Sequence, residues 1–384
     1  MTTIANDNLD LTLPPPAQAG QSLRDIDTPS LVLDLNAFER NLDCMQGLAA
    51  KAGMRLRPHA KAHKCPDIAL AQIARGAVGI CCQKVSEALP FVRAGIRDIH
   101  ISNEIAGPAK ARLLAAMARH ARMSVCVDDA RQVAMLAEAS LQAGANLVVF
   151  VEIDVGQGRC GVGSADAALQ LAEQIASHSA LRFGGLQAYH GGAQHRRTVN
   201  ERREEAARAA GTTGDVLERL QAAGVRCDVV TGGGTGSAAF DLKSGVYTEI
   251  QPGSYIFMDG DYGRNEWDDA VRFEHSLFIA TTVMSVAALS RVVVDAGLKS
   301  MAVDSGLPLI WRPSGDASLR YVAANDEHGI VEPANGGALP DLGVQMLLVP
   351  GHCDPTLNLY DNIVGIREET VECLWPVAAR GMSR

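Results

Sequence analysis

The sequence is poor in the signals that mark a membrane protein, a zinc module or a nucleic-acid binder. Its nine cysteines (44, 65, 81, 82, 126, 160, 227, 353 and 373) contain no C-x-x-C and no zinc-finger spacing, which excludes the common structural zinc sites. Their odd number, mostly inside apolar strand-like runs, fits reduced buried thiols in a cytosol rather than a disulfide framework. No Lys or Arg occurs in the first 23 residues, so no signal peptide is expected. The longest uncharged apolar stretch, Ser276–Ser290, is too short to cross a bilayer and is rich in Thr, Val and Ser. Long basic runs are missing and the formal net charge is -9, which argues against nucleic acid or an anionic membrane as partner. With 47% apolar and 21% charged residues, the chain reads as a cytoplasmic globular protein.

What is present is a long alternation. The chain has 384 residues, enough for two domains. Residues 1–22, with Pro14, Pro15 and Pro16, read as a disordered leader. From 36 to 262, helical runs such as Asn36–Ala52 and Asp129–Ala143 separate eight β-rich pieces. These are MRLRPH (54–59), GICCQ (79–83), DIHISN (98–103), SVCVDD (124–129), NLVVFVEID (146–154), FGGLQAYHG (183–191), VVTGG (229–233) and EIQPGSYIF (249–257). Strands alternating with helices imply right-handed βαβ units, and eight of them imply a closed (β/α)₈ barrel. After about residue 263 the helical period fades into strand-like runs such as RVVVDAGL, VQMLLVP, NIVGIREE and TVECLWPV. That switch predicts a second, mostly β domain over 263–384, to which SLVLDL (30–35) and the rest of 23–35 are assigned.

Active sites of this fold lie at the C-terminal strand ends, and phosphate is commonly held after strands 7 and 8. Lys61, in RPHAKAHK (57–64), follows the first strand and is bracketed by His59 and His63. Crowding by other bases and partial desolvation predict a lowered pKa there. TGGGTGS (231–237) follows the seventh strand and PGSY (252–255) the start of the eighth. The first lets backbone amides approach an anion but lacks the Lys-Ser/Thr of a P-loop. An amine beside a phosphate cradle points to pyridoxal phosphate, a Schiff-base cofactor that takes up electrons from a carbanion.

Three other motifs carry competing readings. GQGRCG (156–161) satisfies G-x-G-x-x-G between a strand and a helical run. The next strand, however, brings Gln187 where a dinucleotide site needs an acid, which disfavours a Rossmann dehydrogenase. Arg159 within that loop projects from the mouth of the barrel, or pairs with Glu152 or Asp154. PGHCDPT (350–356) places His352 and Asp354 two apart, on one side of an extended backbone and able to form half of a divalent-metal site. The same pair also occurs as an ordinary hydrogen bond. His190, His195 and His328 read either as a further polar lining or as surface and core histidines.

These residues, with DTPSLVLDL, CCQKVSEA, FVEIDVGQGRCGV, VDAGLK, VDSGLP and DEHG, resemble the D-threonine aldolase and 3-hydroxy-D-aspartate aldolase family. Its members are relatives of alanine racemase with fold-type III pyridoxal-phosphate architecture. The resemblance runs from about Asp27 to the C-terminus. CCQKVSEA, VDSGLP and GHCDPT look closest to the hydroxyaspartate branch. The resemblance implies that Lys61 carries the cofactor, that Arg159 meets its pyridine nitrogen and that Tyr189 lies beside its ring. Gly233, Gly234, Thr235, Ser254 and Tyr255 would hold the phosphate, and His352 and Asp354 a Mn²⁺ or Mg²⁺ ion. It further implies retro-aldol cleavage of a D-3-hydroxy amino acid to glycine and an aldehyde. His59, beside Lys61, is our candidate proton-transfer group for that reaction, or else a group that orients the lysine or a water. A homodimer is expected, in which His352 and Asp354 face the partner's Lys61. The alternatives are a D-serine or 3-hydroxyaspartate dehydratase on the same scaffold, and a non-catalytic pyridoxal-phosphate carrier. The β domain argues against the carrier, and His-x-Asp rather than His-x-Cys argues against the dehydratase.

Overall fold

The computed structural model describes residues 13–267, 271–311, 318–334 and 336–384. Nine strands come first: β1 (Ser30–Asp34), β2 (Arg55–Leu56), β3 (Ile80–Cys82), β4 (Asp98–Glu104), β5 (Arg122–Val127), β6 (Leu147–Glu152), β7 (Leu181–Ala188), β8 (Val230–Gly232) and β9 (Glu249–Ile250). Eight of them form one parallel sheet in the order β2-β9-β8-β7-β6-β5-β4-β3. The sheet curls on itself. Its two end strands meet through a parallel bridge between His59 and Cys81, and the N–H of Cys81 donates to the carbonyl of Pro58 at 2.8 Å.

Alternation explains how these segments fold. In β4, Ile99 and Ile101 pack outward with Val125, Val127, Val149 and Val151 against the helices, while His100 and Ser102 are buried polar residues of the opposite parity. The interior is therefore polar and paired. Arg57 Nε donates to Glu249 Oε1 at 2.8 Å and its Nη1 to Asp98 Oδ1 at 2.7 Å. His100 contacts Ser124 Oγ at 2.9 Å and Gln187 Oε1 at 3.3 Å, and Gln251 Nε2 reaches Gln187 Oε1 at 2.8 Å. All eight expected strands exist, but the last is shorter than EIQPGSYIF suggested. Strand β9 ends at Ile250, and Ser254–Ile256 forms a 3₁₀ turn. Two of the helices begin on clear side-chain caps: Asp129 caps Ala130–Ala143 with a reciprocal box, and Ser164 caps Ala165–Ser177.

The remaining strands are β10 (Leu277–Ala288), β11 (Arg291–Val294), β12 (Leu309–Ile310), β13 (Leu319–Ala324), β14 (Gly329–Pro333), β15 (Gln345–Val349), β16 (Asn362–Arg367) and β17 (Thr370–Pro376). With β1 they make a nine-stranded, mostly antiparallel sheet of order β13-β14-β11-β10-β1-β16-β17, and β15 joins both β10 and β12. Strand β1 lies between β10 and β16 and runs directly into the first helix, Leu35–Lys51. Of the expected leader, residues 1–12 lie outside the described residues. The rest does not hang free. Ala17 is buried, the N–H of Gly20 donates to Val371 at 2.8 Å, and Ser22 bridges Thr370. Among the described residues, no helix is long and apolar enough to cross a membrane.

Candidate active site

The barrel mouth opens into two connected spaces. The inner cavity, about 260 Å³, is lined by His59, Lys61, Arg159, Tyr189, Thr235 and Ser254, among others. The outer vestibule, about 550 Å³, is lined by Lys61, Lys84, Asp304, His352 and Asp354, among others. Lys61 and Gln83 belong to both, so the lysine stands at the boundary.

Its backbone explains the placement. Lys61 is the centre of a 3₁₀ turn, Ala60–Ala62, that follows β2, and the ring Nδ1 of His59 accepts the N–H of Lys61 at 3.3 Å. His59 Nε2 meets Ser102 Oγ at 2.9 Å and Gln83 Oε1 at 3.2 Å. Both ring nitrogens are therefore engaged, which suits orienting the lysine turn. Burial, followed by the neighbouring Lys61 charge, pushes the His59 imidazole well below its usual range. Burial likewise lowers His63 to about 3.

The flanking histidines thus bring no cationic charge to Lys61, and the expected lowering of its pKa is overturned. Lys61 Nζ donates to Asp354 Oδ2 at 2.6 Å. That carboxylate holds the ammonium well above the ordinary lysine range, and burial is the smaller, opposing influence. The contact also corrects the expected dimeric site: Lys61 and Asp354 meet within one chain.

The metal pair is built differently from its extended-strand rationale. His352 precedes a short helix, Cys353–Leu357, and Asp354 lies in its first turn. Both still face the vestibule. The Nδ1 of His352 is 2.8 Å from Asp304 Oδ2, the carboxylate–histidine arrangement that orients metal-binding imidazoles. Asp304 went unnoticed in the sequence. The chemistry of this donor set suits a hard or borderline divalent cation, with two ligands from the protein.

The glycine-rich loop forms one wall of the inner cavity. Gly233 has φ +68°, and a Cβ there would come 2.5 Å from Asp241 Oδ2, so the turn requires glycine. Gly234, Thr235, Gly253 and Ser254 line the cavity, and the N–H of Tyr255 donates to Thr235 Oγ1 at 3.0 Å. The side chain of Tyr255 points elsewhere, its hydroxyl accepting from Gln72 Nε2 at 3.2 Å. Two adjacent hydroxyls and close backbone, beside a lysine, fit a phosphorylated carbonyl cofactor. Arg159 lies over the Tyr189 ring at 5.6 Å and 3.8 Å from Glu152 Oε1.

GQGRCG is no dinucleotide fingerprint here. The N–H groups of Gly156 and Gly158 donate to Asp154 Oδ1 at 2.9 and 3.0 Å, so an internal carboxylate takes the amides a phosphate would need. His190 accepts the N–H of Ala193 at 3.1 Å, His195 pairs with Asp261 at 2.5 Å, and His328 is exposed. None of the three lines either space. The lining residues that sequence reasoning did not assign to the site are Gln83, Ser102, Gln187, Gln251 and Tyr262.

Comparison with known proteins places this geometry. Residues 33–261 match the model of the alanine racemase N-terminal domain, and residues 276–366 that of a putative serine dehydratase domain. A D-threonine aldolase of Arthrobacter sp. is 56% identical, over 97% of this chain and 98% of its own length. A 3-hydroxy-D-aspartate aldolase of Paracoccus denitrificans is 44% identical, over 95% of each. The crystal structure of D-threonine aldolase from Filomicrobium marinum superposes with a TM-score of 0.94 at 49% identity, covering 97% of this chain and 100% of that one. The fold is that of the fold-type III pyridoxal-phosphate enzymes. The chain belongs to the D-threonine aldolase and 3-hydroxy-D-aspartate aldolase family and is a carbon–carbon lyase.

Proposed function

We propose that this enzyme cleaves D-3-hydroxy amino acids between Cα and Cβ, with pyridoxal phosphate in the inner cavity and Mn²⁺ or Mg²⁺ at His352 and Asp354. The observation that carries this reading is the position of Lys61, on the boundary between the hydroxyl-lined cavity and the vestibule that holds the His-Asp pair. The cofactor supplies an electron sink for the bond broken at Cα. The metal supplies a Lewis acid for the substrate hydroxyl.

The chain's own residues do the rest. Thr235 and Ser254, with backbone at Gly234 and Gly253, hold the phosphate. Gly233 and Tyr255 shape that wall from behind. Arg159, a permanent cation stacked on Tyr189, would face the cofactor's ring nitrogen and favour its unprotonated form. His59 fixes the Lys61 turn through the amide N–H, and Asp304 fixes the imidazole of His352. D-Threonine is the substrate to try first, because the relative acting on it is the more similar of the two; 3-hydroxy-D-aspartate, favoured by the motif likeness, is the second. The exposed apolar side chains Met284 and Val286 of β10 and Leu289 in the turn after it are the face we assign to a homodimer, which light scattering would show.

The test gives purified protein each substrate with pyridoxal phosphate and measures glycine, with and without chelator. Glycine release that is lost with chelator and in Lys61→Ala supports the reading. A 2-oxo acid with ammonia in place of glycine would establish a dehydratase instead. A wild-type protein that takes up no pyridoxal phosphate would sink the reading altogether.

A further inference from the structure

Beneath Arg159 lies a group of acids that the reaction as described does not use. Glu152, at the end of β6, is 3% exposed, and its Oε2 has no hydrogen-bond donor among the described residues. The same holds for the buried Oε1 of Glu104, at the end of β4. The two carboxyls are nevertheless within hydrogen-bonding reach of each other. Glu104 reaches this place after a register shift that sets it opposite Cys126 of β5. Two acceptors facing each other in a buried place repel unless something positive lies between them.

The surroundings narrow what that is. Arg159 Nη2 stands 3.8 Å from Glu152 Oε1, on the side of the cofactor cavity. On the other side the Cys160 thiol is within hydrogen-bonding reach of Glu104. The thiol of Cys126 is likewise within reach of Glu152. Asp128 accepts the N–H of Gly161 at 3.1 Å and the side chain of Gln132 at 3.0 Å. Glu104, Asp128 and Cys160 are close enough together to hold a metal ion. However, Asp128 is already supplied with donors and Arg159 already brings positive charge. Only one bond to hydrogen is lacking, and a proton supplies it.

We infer that Glu104 and Glu152 hold one proton between them and, as a singly charged pair, fix the guanidinium of Arg159 at the cofactor cavity. They are positioning residues: neither touches the cavity itself. Burial first, and Glu104 second, push the Glu152 carboxyl up to about 8, in keeping with a proton retained at neutral pH. The part that concerns the cofactor rests on the pyridoxal-phosphate reading above; the shared proton does not.

The sign of the linkage is definite. The folded chain keeps a proton that the unfolded chain releases above the ordinary carboxyl value of 4.5, so this pair's contribution to stability falls as pH rises from 4.5 through about 8. The experiment has two arms. In the first, the apo-protein and its Glu152→Gln and Glu104→Gln variants are melted at several pH values from 5 to 8. Each variant should gain in Tm relative to wild type as pH rises, and a pH-independent difference overturns the shared proton. In the second, pyridoxal phosphate is titrated by absorbance. Glu152→Gln should bind it about tenfold more weakly, the size of one charged partner lost. Glu104→Gln, whose amide donates where the proton did, should stay within about twofold. Equal losses in both variants overturn the assignment of Arg159 to Glu152. A Mn²⁺ or Zn²⁺ ion bound by the His352→Ala protein and lost in Glu104→Gln would replace the proton by a metal. If no form binds the cofactor, the proposed function fails while the first arm still decides the pair.

Discussion

The interior of the barrel and its mouth are both rich in charge, but they treat it differently. Inside, Arg57 is shared between Glu249 and Asp98, and Thr231 Oγ1 donates to Glu249 Oε1 at 2.9 Å. Arg57 and Glu249 are almost inaccessible, and each charged group there has an oppositely charged partner. At the mouth, Lys61 pairs with Asp354, the carboxylate proposed above to bind a metal, and Glu104 and Glu152 have oxygens without donors among the described residues. A completed network holds one geometry; an incomplete one leaves capacity for a ligand or a proton.

Four changes would break or sharpen this contrast. The largest effect is expected from acid. His59, His63 and His100 are buried, and burial pushes His63 to about 3, His100 to about 4 and His59 well below 6.5. Their folded pKa values are depressed, so the unfolded chain binds the protons first and stability falls as pH drops below 6.5. Three such groups together give about 4 kcal/mol per pH unit. Chemical denaturation at successive pH values should show this slope, and His100→Gln should reduce it by about a third.

Arg57→Met comes next. It takes from Glu249 its buried, hydrogen-bonded cation and leaves only the part-exposed Arg55 at 3.9 Å, which costs about 3 kcal/mol. Urea titration would measure it, and a loss below about 1 kcal/mol would show that the interior network is not the rigid half of the comparison.

His352→Ala leaves the barrel interior untouched and removes one side of the expected metal pair. Aldol turnover should fall by several kcal/mol of barrier, with cofactor uptake retained, because a Lewis acid is worth that much. Unchanged turnover in this variant and in chelator would place the metal chemistry elsewhere.

The smallest effect is Arg24→Ala. Its partner Glu369 lies 3.3 Å away, but the two side chains are 76% and 67% exposed. Water and salt screen such a pair, so thermal melts should show no more than about 1 kcal/mol.

Much of the barrel was readable because its strands are punctuated and several of its helices carry side-chain caps. Ile99, Ile101, Val125 and Val127 alternate with polar or small residues, and Asp129 and Ser164 mark helix starts. Strands β13 and β14 were not readable, since LRYVAANDEHGIVEP offers only the short apolar stretches YVAA and IV on either side of the polar turn NDEH. Strand β12 has only two residues. Gln83, Ser102 and Gln251 escaped notice, and Gln187 was not placed in the site, for a related reason: glutamine and serine near strand ends look like any polar position. The parity of β4 was the available signal, because it places Ser102 on the same side as the buried His100.

What the sequence by itself determined is local: period-two strands, capped helices, glycine at a turn that requires φ +68°, and a lysine just past the first barrel strand. These follow from backbone sterics and from which side chains avoid water, and both act over a few residues. Tertiary structure alone decided the electrostatics of the site. Lys61 and Asp354 are 293 positions apart in sequence, and the spacing within RPHAKAHK pointed to a lowered lysine pKa where the carboxylate produces a raised one. Glu104 and Glu152 likewise meet only because β4 and β6 flank β5 in the sheet. The charge felt by a side chain depends on distance and burial in the folded chain, and sequence separation carries neither.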